Sequence, residues 1–314
     1  MNLVSKNITP YSQGIINEYA ALRPIYISEG QFLNQFIWAD FYDTKYITKD
    51  SYLFFLLTIH GQLRTMMPYC KQEDIESAFW EIKDYFNQEL GIPLNMHLCD
   101  KNFIETMMQS ERFTKEFTVE EDRDSFDYVY DVEKMKSLTG KDYSSKRNHL
   151  NSFLKEYKDR FEYRRLSCAS TEEIKDFHLR WLDDRGIYDN PVSENSVSDN
   201  YNFITCEEKG VFRIFKNCFL LDSKIGGVYV DGKLEAYSIG CYNPATKYAY
   251  IHIEKANPEI RGLYNYINQQ FLIHEFPDAE FVNREDDLGQ EGLRKAKMTY
   301  RPVYLAEKYI IRQR

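Results

Sequence analysis

Cysteine is scarce and scattered in this chain of 314 residues. Six occur, at positions 70, 99, 168, 206, 218 and 241, and none forms a CxxC pair. A chain of this length has core enough to do without stapling. The six therefore read as free, mostly buried thiols in a reducing, cytoplasmic compartment. Long apolar runs are also missing. The most apolar stretch, YLFFLLTI at 52–59, has eight residues, against the roughly 20 that a membrane-spanning helix requires. It reads as a strand, and integral membrane association is not expected. MNLVSKNITPY has no basic region followed by an apolar core, so no secretory signal is expected. The six histidines do not cluster at ligand spacing and no HExxH occurs, so no metal site is expected. No GxSxG elbow supports a serine hydrolase. Gly140-Lys141 lacks the upstream glycines and the spacing of a P-loop.

Aromatic residues and charge are plentiful. Aromatics make up 16% of the chain, with 25 Tyr and 21 Phe. Tyrosine buries a large ring and keeps a polar tip, which suits sheets with wet clefts. The net charge of -9 disfavours DNA and anionic membranes. It is unevenly spread. Residues 111–133 hold nine acidic and three basic side chains, residues 134–180 twelve basic and seven acidic, and residues 290–314 seven basic and two acidic. A local anion site is compatible with an acidic whole.

Periodicity divides the chain into two similar halves. The first runs hairpin (52–67), helix (73–90), strand (94–98), helix (101–110), strand (126–130). The second runs hairpin (225–240), strand (248–253), helix (262–276), strand (279–283), helix (288–299), extended segment (301–305). Asp231-Gly232 is the strongest hairpin signal. A further helix is expected over 144–159, capped by Ser144 or Ser145, with an apolar stripe of Leu150, Phe153, Leu154, Tyr157 and Phe161. Another is expected over 171–185 with Thr171 as a cap. The polar stretch 186–202 reads as a loop, and 210–222 as a helix. The order implies an α/β protein with mixed, mostly antiparallel sheets flanked by helices. Its two domains are expected at 1–150 and 151–314.

Two segments carry candidate chemistry. In SSKRN, Lys146 and Arg147 lie in the first turn of a helix, where positive side chains oppose the dipole. Both flank the packed stripe. An anion there, a ligand phosphate or a protein carboxylate, would account for them. In NREDDLGQEGLRKAK, a strand ends near Asn283 and a helix begins near Leu288, capped by Asp286 or Asp287. Loops at strand carboxyl ends are favoured ligand positions. Arg294, Lys295 and Lys297 form a positive cluster there. His252 and Glu254 share one face of a strand, and Glu254 is a candidate base.

The segments 126–153 (FDYVYDVEKMKSLTGKDYSSKRNHLNSF) and 283–309 (NREDDLGQEGLRKAKMTYRPVYLAEKY) resemble the family of uncharacterised proteins related to the C-terminal domain of phosphatidylglycerol lysyltransferase. The resemblance implies two tandem acetyltransferase-like (GNAT) domains. It also implies an acyl- or aminoacyltransferase that moves an activated acyl group from a phosphate-containing donor to an amine. On this reading Lys146, Arg147, Asn148, Arg284, Arg294, Lys295 and Lys297 would hold the donor. Glu254, Glu285 and Asp287 are the candidate proton acceptors. The donor would be acyl-coenzyme A or aminoacyl-tRNA, the latter by its acceptor end, with no tightly bound cofactor. The acceptor would be a small amine or a peptide. The sequence departs from ordinary acetyltransferases after strand 248–253. The glycine-rich turn that binds the coenzyme A pyrophosphate is replaced by ANPEIRGLY, with one glycine. A non-catalytic anion- or nucleotide-binding protein of the same fold is the alternative.

Overall fold

A computed structural model describes residues 4–59, 61–183 and 199–314. The chain divides into two compact units. The first unites residues 4–129 with 285–297 and 304–314, and the second comprises 130–284 and 298–303. The division therefore follows no single cut near residue 150.

The first unit opens with β1 (Lys6–Asn7), α1 (Gln13–Ala20) and α2 (Phe32–Trp38). It continues with β2 (Lys45–Thr48), β3 (Tyr52–Ile59), β4 (Gln62–Met66) and β5 (Tyr69–Cys70). After α3 (Ile75–Asp84) come β6 (Asn95–Asp100), α4 (Lys101–Met107), α5 (Glu111–Glu116) and β7 (Phe117–Glu121). The run YLFFLLTI is β3, and its first six residues are all buried because both faces of the strand are covered. Beyond it, β4 and β6 pair in parallel through Thr65↔Met96, with α3 as the crossover. Phe79 of α3 meets the rings of Phe103, Phe113 and Phe117 beneath this sheet.

The strand β8 (Asp127–Asp131) carries the chain from the first unit into the second. There follow α6 (Val132–Ser137), α7 (Ser144–Glu156), β9 (Phe161–Arg165), α8 (Thr171–Asp183) and α9 (Asp199–Asn217). The sheet continues with β10 (Lys224–Val230), β11 (Lys233–Asn243), β12 (Tyr248–Ala256), α10 (Leu263–Glu275) and β13 (Phe281–Asn283). Asp231 and Gly232 turn the β10–β11 hairpin with both φ values positive, 51° and 79°, as a two-residue turn of this kind demands. β12 and β13 pair in parallel across α10. Each unit thus holds one strand–helix–parallel strand crossover within a mostly antiparallel sheet, which is the physical content of the repeated element order.

After β13 the chain returns to the first unit. It forms α11 (Glu291–Met298), β14 (Tyr304–Ala306) and β15 (Lys308–Gln313). β14 pairs with β8 through Leu305↔Tyr128. β15 lies between β6 and β7 and is antiparallel to both. The last extended segment therefore completes the first sheet. Lys308, fully buried, seats it, with Nζ 2.7 Å from Asp127 Oδ1 and 2.8 Å from Glu29 Oε2.

Several local expectations change. α7 ends at Glu156 and Phe161 opens β9, because the chain turns at Asp159, whose φ is 61°. Tyr143, not Ser144 or Ser145, is the residue before α7, and no side chain caps that end. Thr171 is the first residue of α8, and its hydroxyl donates to the Cys168 carbonyl instead of capping. α11 starts at Glu291, since Leu288 and Gly289 both have positive φ. The expected loop at 186–202 lies outside the described residues up to 198, and α9 starts at Asp199.

The expectation of six free thiols is overturned. Cys168 and Cys218 form a disulfide with Cα atoms 5.8 Å apart. Cys168 lies just before α8 and Cys218 just after α9, so folding of this helix pair brings together residues 50 positions apart. Spacing in the sequence carried no sign of it. Among the described residues no helix is long and apolar enough to cross a membrane.

Ile311, at the centre of β15, is fully buried. Ile311→Ala is expected to destabilise the first unit by about 2–5 kcal/mol, read as an early urea transition.

Candidate functional site

In the second unit, β12 runs on past Tyr250 to Ala256, whereas β13 ends at Asn283, opposite Tyr250. The continuing part of β12 carries Glu254, and Arg284 follows β13 directly. Arg284 Nη2 donates to Glu254 Oε1 at 2.7 Å, and Asn268 Nδ2 of α10 donates to Glu254 Oε2 at 3.1 Å. Burial opposes the charge of Arg284, but Glu254 together with Tyr130 and Tyr300 outweighs it and holds the guanidinium above its ordinary value. Across the β11–β12 ladder, Ser238 stands directly opposite Glu254, so the two side chains share a face. Ser238 is fully buried, and its hydroxyl has no hydrogen-bond partner among the described residues. A buried orphan hydroxyl costs free energy, and sites that persist with one call for an explanation such as a ligand or water.

Lys146 joins the same group. Its Nζ lies 4.0 Å from the ring centroid of Tyr300, and the Arg284 guanidinium lies 5.2 Å from that ring. Tyr300 is held by Asn265, which donates to its hydroxyl at 2.6 Å, and by Tyr143, which donates to its carbonyl at 2.8 Å. Burial pushes the Tyr300 hydroxyl up to about 12. Lys146 is lowered from the ordinary lysine value, first by burial and then by repulsion from Arg284. No carboxylate pairs with it among the described residues. Two cations and one carboxylate thus meet at one aromatic ring and leave one positive charge over. Cation–π contact offsets part of that cost, and an anion would offset more.

The other candidates are engaged elsewhere or exposed. Arg147 donates to the carbonyls of Leu138 and Gly140, the latter at 2.7 Å, and so closes the turn before α7. Asn148 is exposed on α7. His252 Nε2 lies 3.3 Å from Cys241 Sγ and is buried. Gly262, the one glycine left in the turn before α10, has a φ of 84°. A Cβ there would stand 2.1 Å from the His149 carbonyl. That glycine is required for α7 to approach α10.

The first unit holds the rest. Asp287 is fully buried. It accepts from Arg294 Nε at 2.9 Å, Arg123 at 3.4 Å and Gly289 N at 3.0 Å, and also from the Tyr128 hydroxyl. Burial alone would raise it, but these donors bring it down to about 2. Arg294 also pairs with Asp124 at 2.7 Å. Glu285, at a left-handed φ of 57°, accepts from Asn34 at 2.9 Å. Lys297 donates to the carbonyls of Glu285 and Asp286, and Lys295 is exposed.

Asp286 was named in the sequence reading only as a possible helix cap, and α11 starts five residues later, at Glu291. It is half-buried, and its carboxyl is pushed up to about 7, chiefly by burial, with Asp127 and Glu285 adding and Lys308 and Lys297 opposing. Asp287 is held by Arg294, Arg123 and Tyr128, whereas Asp286 accepts from Leu288 N at 3.3 Å and lies in the field of Lys308 and Asp127.

A family profile described as phosphatidylglycerol lysyltransferase, C-terminal, matches residues 20–312. The chain belongs to this family. A conserved protein of unknown function from Bacteroides thetaiotaomicron is similar over 100% of both chains, with a TM-score of 0.86 and 26% identity. L-PGS from Bacillus licheniformis shares the fold over 98% of this chain and 93% of its own, with a TM-score of 0.66 and 11% identity. An uncharacterised protein of Mycoplasmoides gallisepticum is 26% identical over 190 residues, 60% of this chain. The match spans 56% of that protein's length. The expected architecture, mixed α/β with two mostly antiparallel sheets flanked by helices, is present, and the family relates the chain to aminoacyl transferases at a coarse level.

The Asp286 carboxyl is expected to titrate near pH 7 by carbon NMR, and Asp127→Asn to move the midpoint down. The folded carboxyl keeps a proton that the unfolded one, at 3.8, releases. Its contribution to stability is therefore full below about pH 4 and is lost as pH rises through 7.

Proposed function

We propose that this protein transfers an activated acyl group, with an aminoacyl ester as the favoured donor, to an amine. The observation that carries the reading is the surplus cation at Lys146, set with Arg284 against one aromatic ring, Tyr300. Lys146 and Arg284 would hold a phosphate of the donor by charge-assisted contact. Family membership supports transfer of an aminoacyl group. The packing of Gly262 against His149 weighs against a coenzyme A pyrophosphate at the start of α10.

The chemistry asks little of the protein beyond positioning and charge. The amine nitrogen attacks the acyl carbon, a C–N bond forms, the bond to the donor oxygen breaks, and the amine gives up a proton. Glu254 would take that proton. Each of its oxygens accepts one hydrogen bond, and a carboxylate has further lone pairs. Ser238 would donate to the acyl oxygen or to a polar group beside it. A second reading, anion binding without turnover, is favoured by the engagement of both Glu254 oxygens.

The test is a screen of aminoacyl-tRNAs against acyl-coenzyme A donors, with small amines, peptide amines and phosphatidylglycerol as acceptors. Transfer from an aminoacyl-tRNA is expected. Glu254→Gln should lower kcat by about 100-fold or more, the range for a general base. Lys146→Ala should mainly raise KM for the donor. Donor binding that depends on Lys146, with no turnover under any pairing, would establish the second reading instead.

A further inference from the structure

The disulfide Cys168–Cys218 is the covalent feature that the transfer reading leaves unused. Its two cysteines are half-buried, unlike Cys70, Cys99 and Cys241, which are buried as free thiols. A cavity of about 390 Å³ lies against both sulfur-bearing residues, with Ser167, Phe219 and Ser223 in its lining. Phe219, next to Cys218, is 78% exposed. A small dithiol therefore has a path to this bond.

The bond ties the start of α8 to the end of α9, and this helix pair is the backing of the second sheet. His178 of α8 lies 2.6 Å from the Tyr237 hydroxyl, and both are buried. Arg180 binds Glu235 at 3.2 Å and donates to the Leu234 carbonyl at 2.8 Å. Tyr229 donates to Glu173 at 2.7 Å, and Lys255 pairs with Glu207 of α9 at 2.6 Å. Tyr237 and Lys255 are the chain neighbours of Ser238 and Glu254. Since side chains alternate along a strand, the helix pair grips β11 and β12 from the face opposite Ser238 and Glu254.

We propose that Cys168–Cys218 is a redox-reversible site, at which a dithiol reductant loosens the α8–α9 backing of strands β11 and β12. A thiolate of the dithiol attacks one sulfur, forming a mixed disulfide and expelling the other cysteine as a thiolate that takes up a proton. The second dithiol sulfur then closes on the first, leaving the reductant as a disulfide and the protein with two thiols. Reduction reopens a loop whose ends are 50 positions apart, and cutting a longer closed loop restores more entropy to the unfolded chain, which destabilises the fold.

The experiment equilibrates the intact protein across a series of oxidised-to-reduced dithiothreitol ratios, followed by denaturing alkylation and mass measurement. Four labelled cysteines are expected at the oxidised end and six at the reduced end, in one two-electron step, with peptide mapping placing the change at 168 and 218. Hydrogen exchange in 171–181 and 206–217 should rise on reduction, and Tm should fall by several degrees. The double variant Cys168→Ser, Cys218→Ser should exchange like the reduced protein and ignore the dithiol. A count that stays at six or at four across the series overturns the proposal. So does a change from four to six that leaves exchange in both helices unaltered.

Discussion

The buried ammonium of Lys308 governs the arrangement of this chain. It is the first residue of β15, and it is held between Glu29, which lies just before α2, and Asp127, where β8 begins. Burial works against its charge, but Asp127 and Glu29 together hold it above the ordinary lysine range. Breaking a buried pair by losing one partner strands the others, which is far more costly than never having built it. The last strand is thereby committed to a place inside the first sheet, between β6 and the edge strand β7, and the path from β13 back to β15 follows. The segment 285–297 has to return with it, which brings Asp286 within the field of the triad and fixes Asp287 on Arg294.

Much of the fold was legible because local chemistry and global need agree. Asp231-Gly232 signals its hairpin since both positions take positive φ, which those residues tolerate. The eight residues of β3 read as a strand because nothing polar interrupts them. The helices α3 and α10 read from the spacing of their apolar residues, whereas the parallel pairing that each one bridges is a property of the folded sheets. What local patterning could not show is partnership at a distance. The seating of β15 depends on Glu29 and Asp127, roughly 280 and 180 residues away, and the disulfide on the mutual packing of α8 and α9.

The candidate site divides along the same line. Lys146, Arg284 and Glu254 were singled out as charges near strand and helix ends, and the second unit gathers all three. Arg147, Arg294 and Lys297 carried the same signal, yet their partners are protein groups: two turn carbonyls, Asp124 with Asp287, and the carbonyls of 285 and 286. A list of cations does not distinguish those that have found a partner from those that wait for one. Ser238 went unnoticed because it is a serine in an apolar strand, and Asp286 was taken only for a possible helix cap because it stands in a run of acids. Burial sets them apart, and burial is a property of the folded chain.

The position of β15 also has a temporal consequence. A ribosome releases residues 308–313 only after the whole second unit has emerged. Until then β6 and β7 of the first sheet have no strand to separate them, and Glu29 and Asp127 face each other without their cation. The unit that starts first therefore finishes last, and its nascent form presents open strand edges for as long as the second unit takes to be made.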